Sequence, residues 1–203
     1  MAMTPERGPK YRRYSSEERS SMLIDAGIAC LAKGGITGFT IDNICREAGA
    51  SRGLITHHFK SKQGLLAAIY ATMYGRSLAV FGDTGDSAVG IEDVIEAEFH
   101  PDVFNRRNIT IWLALWGEIA TNDALGKEHR RKYKEYRSGV SAALTETARA
   151  RNRDIDADNL AVMIIALIDG LWLETCIAPE LMSAEQAKRN CYQALFPFLG
   201  KLP

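Results

Sequence analysis

The apolar residues of this chain recur every three or four positions, which is the spacing of one face of an α-helix. Alternation of apolar and polar residues, the pattern of a half-buried strand, does not persist in any segment. Together with turn and capping residues, the spacing predicts nine helices, near 16–33, 41–48, 52–58, 62–80, 91–99, 102–121, 123–151, 157–178 and 184–199. The pattern therefore predicts an all-α fold.

Capping signals support several of these helix ends. Ser15 and Glu18 have the spacing of a capping box, and Ser183 and Gln186 repeat that spacing before the last helix. The pair Gly34-Gly35 is expected to end the first helix, because glycine readily adopts the conformation found just beyond a helix C-terminus. The polar segment 82–86 is expected to be a loop.

Residues 39–59 have the pattern of a helix-turn-helix. Ile44 and Ala48 give the first short helix an inward face, and Ile55 can close the same small core from the second. Gly49 between them permits the positive φ that a tight turn between helices needs. A short second helix of this kind can enter the major groove of DNA. At this point the alternative, an ordinary helix corner in an enzyme, stays open.

The same region resembles the TetR family of transcriptional regulators. The resemblance rests on three motifs, Thr40-x-x-x-Ile44, Ala48-Gly49-Ala50-Ser51-x-Gly53 and His58-Phe59-x-Ser61-Lys62-x-x-Leu65-Leu66. It implies an N-terminal three-helix DNA-binding domain with a basic arm (1–61), and a helical ligand-binding and dimerisation domain (62–203). It also implies a homodimer that binds a palindromic operator as a repressor and is released by a small-molecule effector.

Four positions depart from the usual family residues. Ala50 stands where Val is common and Thr56 where Tyr is common, and Gln63-Gly64 stands where a Glu is common. Thr56 followed by His, and Gly64 followed by two leucines, are similar to the choline-responsive repressors of the betaine pathway within this family. The segments 112–116 and 166–173 share that narrower likeness.

The resemblance and the chemistry of the side chains together give eight candidate DNA-contacting residues. An Arg52 guanidinium at the start of the second short helix can reach guanine or phosphate, and Gly53 would allow close backbone approach. Residues at helix N-termini favour phosphates, and the family resemblance implies such contacts by Thr40 and Lys62. The complete set is Thr40, Ser51, Arg52, Gly53, Thr56, His57, His58 and Lys62. His58 is expected to lie partly in the core, and Arg12-Arg13 to reach DNA or remain solvated.

The distribution of charge agrees with a DNA-binding head. The chain has 25 basic and 25 acidic residues, so its net charge gives no indication of nucleic-acid binding. Residues 1–62, however, hold ten Lys or Arg against six Asp or Glu, and the remainder is correspondingly acidic. A basic head on an acidic body suits binding to a phosphate backbone at one end. It disfavours an architectural DNA-binding protein, which would be basic throughout.

Aromatic and acidic residues of the C-terminal region suggest a cationic effector. Aromatic faces attract quaternary ammonium ions, and a carboxylate adds opposite charge. The candidate effector-binding residues are Trp112, Trp116, Tyr133, Asp169 and Trp172. Tryptophans in a helical bundle are also common core residues, and Asp169 suits a ligand counter-charge, a contact between subunits or a satisfied buried position. A sensor of a lipophilic ligand is the alternative within the family.

The last two long helices are the expected dimer interface. Residues 160–168 are apolar on every face, so the helix near 157–178 needs cover on all sides, and the resemblance implies a four-helix bundle with the helix near 184–199. A central helix of a monomer is the alternative. Nucleophile, phosphate-loop, dinucleotide and zinc motifs are missing from the sequence, so we expect neither an enzyme nor a cofactor or metal. Isolated cysteines and the lack of a long apolar run predict a cytoplasmic protein without a membrane span.

Overall fold

The computed structural model describes residues 14–82 and 88–202, apart from the side chain of Cys176. Within these ranges the chain forms nine α-helices and one 3₁₀ turn, and no strand. The helices are α1 (Ser16–Gly38), α2 (Ile41–Ala48), α3 (Arg52–Phe59), α4 (Lys62–Leu78), α5 (Ile91–Glu98), α6 (Arg106–Ile119), α7 (Asp123–Ala150), α8 (Ala157–Ile177) and α9 (Ala184–Leu199). The predicted all-α class is confirmed. Arg12, Arg13 and most of the predicted loop lie outside the described residues.

The helix ends follow the capping residues, with two corrections. Both predicted capping boxes form, at Ser15 and at Ser183. Gly34-Gly35 does not end α1: Gly35 has a φ of 55°, which produces a kink, and a last turn continues to Gly38. Helix α6 begins at Arg106 rather than near 102, because the Asn105 side chain accepts from the Asn108 N–H (3.0 Å) and thereby caps it.

Helices α1 to α3 form a small head whose core is shared with α4. Leu31, Phe39, Ile44 and Ile55 are at most 1% exposed. The turn from α3 to α4 requires a glycine at 64, since a Cβ there would lie 2.0 Å from the Phe59 carbonyl oxygen.

The body is built around α4, which packs against α1, α3 and α7. Helix α6 packs against both α1 and α8, so it also joins the head to the body. By length and composition alone, Lys62–Phe81 would be a candidate membrane span within the described residues. In this fold it is the central helix, and its buried Leu65, Ile69 and Met73 belong to the hydrophobic core. A core helix of this kind meets the same length and composition test.

Candidate DNA-binding surface and effector pocket

The helix-turn-helix geometry predicted from the sequence is present. The Thr40 hydroxyl accepts from the Asn43 N–H (3.2 Å) and caps α2, whose C-terminus ends at Gly49 with a φ of 60°. The Ala50 N–H donates to the Cys45 carbonyl (2.9 Å) and closes the turn into α3. Ile44 and Ile55 are buried between the two helices. This packing leaves the opposite face of α3 available to a partner.

The outward face of α3 carries the predicted DNA-contacting side chains. Four of them are exposed, namely Arg52, Gly53, Thr56 and His57. His58 is half-buried, in agreement with its predicted place partly in the core. The rings of His57 and His58 meet edge to face, with centroids 4.9 Å apart. A short helix with exposed polar side chains can hydrogen-bond to base edges in the major groove.

Arg52 is held by a carboxylate from the neighbouring helix. Its Nη2 lies 2.5 Å from Asp42 Oδ1, and the two side chains are 72% and 61% exposed. An exposed pair of this kind contributes little to stability, so it can yield to a guanine or a phosphate. Sequence reasoning did not single out Asp42, because its contact with Arg52 joins residues ten positions apart.

Three further candidates lie at helix N-termini around α3. Thr40 is exposed, and its hydroxyl proton remains able to donate while the oxygen caps α2. Ser51 has the backbone of an N-cap but makes no capping hydrogen bond within the described chain. Lys62 is half-buried, with its Nζ 5.9 Å from the centroid of the Phe39 ring. All three positions suit phosphate contacts on either side of α3.

A second site lies in the body, where α4 to α8 enclose a cavity of about 30 Å³. Its lining combines aromatic, acidic and apolar side chains, namely Tyr74, Ser77, Glu98, Trp112, Trp116, Tyr136, Ile165, Ile168, Asp169 and Trp172. The structure therefore brings together four of the five predicted effector residues. Tyr133 lies outside this lining and stacks obliquely on His129, with ring centroids 5.5 Å apart.

Aromatic rings form a continuous wall on one side of the cavity. Trp112 and Trp116 stack with centroids 5.8 Å apart, as their spacing of four residues on α6 allows. Tyr74 of α4 meets Trp112 edge to face at 5.1 Å and Tyr136 of α7 at 6.0 Å. Such a wall offers the faces that attract organic cations.

Two carboxyl groups line the cavity together with these rings, and a charge on Glu98 disfavours a second charge on Asp169. Burial raises the pKa of Glu98, although hydrogen bonds from Tyr136 (2.8 Å) and Ser77 oppose this. Burial and then repulsion from Glu98 raise the pKa of Asp169 to about 7. Asp169 lines the cavity and is also an exposed residue of the chain. A cation in this cavity would relieve the repulsion between the two carboxyl groups.

Sequence reasoning missed Glu98, Tyr74 and Ser77. Glu98 is the only acidic residue among the buried residues described. Its position at the end of an amphipathic helix gave no sign of burial. The aromatic residues of α6 and α8 were found because their composition is unusual, whereas the contributions from α4 and α5 depend on tertiary packing.

A helix-turn-helix with an exposed second helix, joined to a helical body with its own cavity, defines a DNA-binding regulator. Comparisons with known proteins agree. The family described as "Bacterial regulatory proteins, tetR family" matches residues 23–69, and "BetI-type transcriptional repressor, C-terminal" matches residues 90–196. The chain belongs to the TetR family of transcriptional regulators and carries a BetI-type C-terminal domain.

Individual relatives extend over nearly the whole chain. The HTH-type transcriptional regulator BetI of Proteus mirabilis is 30% identical over 177 residues, which cover 84% of this chain and 86% of that protein. A solved structure from Pseudomonas aeruginosa PAO1, described as a transcriptional regulator, is 34% identical, with a TM-score of 0.78 over 91% of both chains. A regulator from Saccharomonospora viridis, solved in complex with choline, is 22% identical, with a TM-score of 0.73 over 90% of this chain and 97% of that one. At that identity the likeness concerns the fold alone.

Family membership settles the class of activity. The protein is a transcriptional repressor, not an enzyme, and its family acts on operator DNA in response to small molecules. The structure adds which side chains of this chain face outward on α3 and which line the cavity in the body.

Proposed function

We propose that the protein is an effector-released repressor whose homodimer binds a palindromic operator and dissociates when an organic cation, choline or a related quaternary ammonium, enters the cavity. The observation that carries this proposal is the pairing of two carboxyl groups with an aromatic wall in that cavity. Residues 1–61 would bind DNA and residues 62–203 would bind effector and partner. Both DNA and effector would be met in the cytoplasm.

The chemistry of the cavity supports a cation over a lipophilic ligand. An acyl chain beside Glu98 and Asp169 would displace water from the exposed Asp169 and would offer neither carboxyl group an opposite charge or a hydrogen bond, which is costly. A quaternary ammonium instead gains charge attraction from the acids and cation–π attraction from Trp112 and Trp116. The choline bound to the Saccharomonospora viridis regulator supports the same ligand class.

An apolar stripe on α8 supports a homodimer. Val162, Leu173 and Ile177 are 38%, 39% and 68% exposed, and they lie on one helix face with Ala166 and Gly170. A Cβ at Gly170 would meet nothing within 4 Å in the described chain, so a second helix can approach closely there. The occupant we propose is a second copy of the chain, because operator binding needs two α3 helices about 34–36 Å apart.

The small volume of the cavity suggests how effector binding changes the head. About 30 Å³ accommodates a water molecule but not an organic cation, so an effector must widen the cavity. Tyr74 and Ser77 in its wall belong to α4, whose first residue is the candidate phosphate contact Lys62. Trp112 and Trp116 belong to α6, which packs on α1. Widening would therefore move the α3 helices out of register with successive grooves.

Two binding experiments test the proposal. Isothermal titration calorimetry of the protein with choline should show saturable binding. Glu98→Gln should weaken that binding about tenfold or more, because one of the two carboxyl groups that attract the cation is lost. Fluorescence anisotropy should show preference for DNA upstream of the protein's own gene over random DNA, with affinity that falls steeply with salt. If choline and related ammonium ions fail to bind, the effector class is wrong. If upstream DNA gives no preference, that DNA is not the operator.

A further inference from the structure

We propose that the indole N–H of Trp172 selects effectors that carry an acceptor oxygen, so that a hydroxyl-bearing quaternary ammonium binds better than an alkylammonium ion of the same size. This inference rests on the proposed cationic effector and adds a second feature of the ligand, an acceptor oxygen. The cation would lie beside the carboxyl groups, and its oxygen would accept a hydrogen bond from Trp172.

The Trp172 nitrogen is an unmatched donor. The residue is 3% exposed, and its Nε1 is the only buried side-chain nitrogen or oxygen in the described residues that lacks a hydrogen-bond partner. Buried indole N–H groups normally have a partner, because an unmet donor removed from water lowers stability. Because Trp172 lines a cavity that an effector must widen, an effector can bring the acceptor that this donor lacks.

The hydroxyl groups that contact Glu98 are already engaged. The Tyr136 hydroxyl donates to Glu98 (2.8 Å), and the Ser77 hydroxyl also bonds to it. An effector oxygen would have to break one of these bonds, whereas Trp172 gives up nothing. This difference favours Trp172 as the donor.

The position of Trp172 suits a ligand with two unlike ends. Trp172 follows Asp169 by three residues on α8, so both project from one face of the helix, about one turn apart. Phe104 meets the Trp172 ring edge to face at 5.2 Å and fixes the plane of the indole. A cation with a hydroxyl on a short spacer can therefore reach Asp169 and Trp172 together.

The test compares two ligands that differ at one group. Choline and n-propyltrimethylammonium have similar shapes, but the second has a methyl group in place of the hydroxyl. Calorimetry on the wild-type protein should show choline binding about tenfold more tightly, the effect of one hydrogen bond to an otherwise unmet donor. Trp172→Phe should reduce that ratio to about one, mainly by weakening choline binding.

Two variants separate hydrogen bonding from packing. Trp116→Phe also removes an indole from the lining, but it should weaken both ligands and leave their ratio unchanged. Replacement of Trp172 by benzothienylalanine keeps the ring size and loses only the N–H, so it should abolish the ratio even if Trp172→Phe fails to fold. Equal affinities in the wild-type protein, or a ratio that survives benzothienylalanine, would overturn the inference while the cationic effector stands. Failure of both ligands to bind would overturn the two together.

Discussion

Gly53 is an exposed helical residue for which the chain itself offers no structural reason. A Cβ there would approach only Ser51 Oγ, at the ordinary contact distance of 3.9 Å among described atoms. Glycine inside a helix lowers stability by roughly 0.5–1 kcal/mol relative to alanine. An outside molecule that approaches the backbone closely would account for a glycine that the fold does not need.

Gly53→Ala is therefore expected to have opposite effects on the fold and on DNA binding. The free energy of unfolding should rise by about 0.5–1 kcal/mol, while operator affinity should fall about tenfold as the new methyl group meets DNA. Chemical denaturation and fluorescence anisotropy measure the two effects. Gly117→Ala is the matched control, since a Cβ there meets nothing within 4 Å in the described chain and α6 carries none of the candidate DNA-contacting residues. Unchanged operator affinity of the Gly53 variant would contradict the close approach.

Asp169 links effector affinity to pH. Its pKa of about 7 means that a proton occupies the carboxyl at lower pH, and this proton must leave before a cation gains the full charge attraction. The groups facing it are Glu98 of α5 and the tyrosines 70, 74, 133 and 136 of α4 and α7. Choline affinity should therefore rise from pH 6 to pH 8 in calorimetry. Asp169→Asn should bind weakly with a flatter pH profile, and an unaltered profile would count against Asp169 as the counter-charge.

The same shift predicts a stability change of known sign in the effector-free protein. Because the folded pKa lies above the ordinary value of 3.8, the folded state holds more protons than the unfolded state between about pH 4 and pH 7. Stability should fall as pH rises through that window and level off above it. Asp169→Asn removes this contribution, so thermal unfolding at pH 8 should occur at a higher temperature than in the wild-type protein. At pH 4 the difference should nearly vanish.

Local chemistry explains which residues were predictable from the sequence. Thr40, Gly49 and Ser183 act through neighbours three or four residues away, so their roles could be predicted from the printed chain. Glu98 gains its role from α7, 38 residues further on, through the hydrogen bond from Tyr136. The candidate DNA-contacting residues were found because all of them fall within one contiguous motif.

At the scale of the elements, α2 and α3 are joined by the pair Asp42–Arg52. A carboxylate on a DNA-facing surface repels phosphate, and here it also fixes the guanidinium that we expect to read guanine. Asp42→Asn should therefore raise affinity for random DNA a few-fold and lower the preference for the operator about tenfold. In an Arg52→Ala background the same change should leave the preference unaltered. A preference that stays intact in the single variant would show that Arg52 needs no such support.

Helix existence was easier to predict than helix ends. All nine helices were expected from apolar spacing, because each buries one face against the core. The two errors arose where local backbone features, which apolar spacing does not show, extended or delayed a helix. Helix α1 bends at Gly35 and continues, while the segment before α6 folds back so that the Asn105 amide donates to the carbonyls of Pro101 and Asp102.

At the scale of the whole molecule, the apolar face of α8 decides the assembly. Gly170→Arg adds a long charged side chain where nothing in the single chain obstructs it, so the fold should persist while a second helix is excluded. Sedimentation velocity should show a monomer, and operator affinity should fall at least a hundredfold because two half-sites are no longer bound together. Gly117→Arg, equally unobstructed within the described chain, should remain dimeric. A dimeric Gly170 variant would place the interface elsewhere.

The two sites are connected through α4 and α6, each of which has one end near the head and side chains in the cavity wall. Because the cavity must widen to admit a cation, the effector favours a conformation in which the cavity is wider. Emptying an operator from 99% to 1% occupancy requires about 5.5 kcal/mol of preference for that conformation. Several charge and aromatic contacts together can supply a preference of this size.

The most direct test is to bind fluorescent operator DNA to the wild-type protein, add choline at fixed salt and pH 8, and follow the anisotropy of the DNA. Release of the DNA over the same concentration range in which calorimetry detects choline binding is the predicted result, and Asp169→Asn should shift that release to higher choline. A complex that persists at choline concentrations which saturate the cavity would contradict the account, because the cavity would then bind a cation without controlling the head.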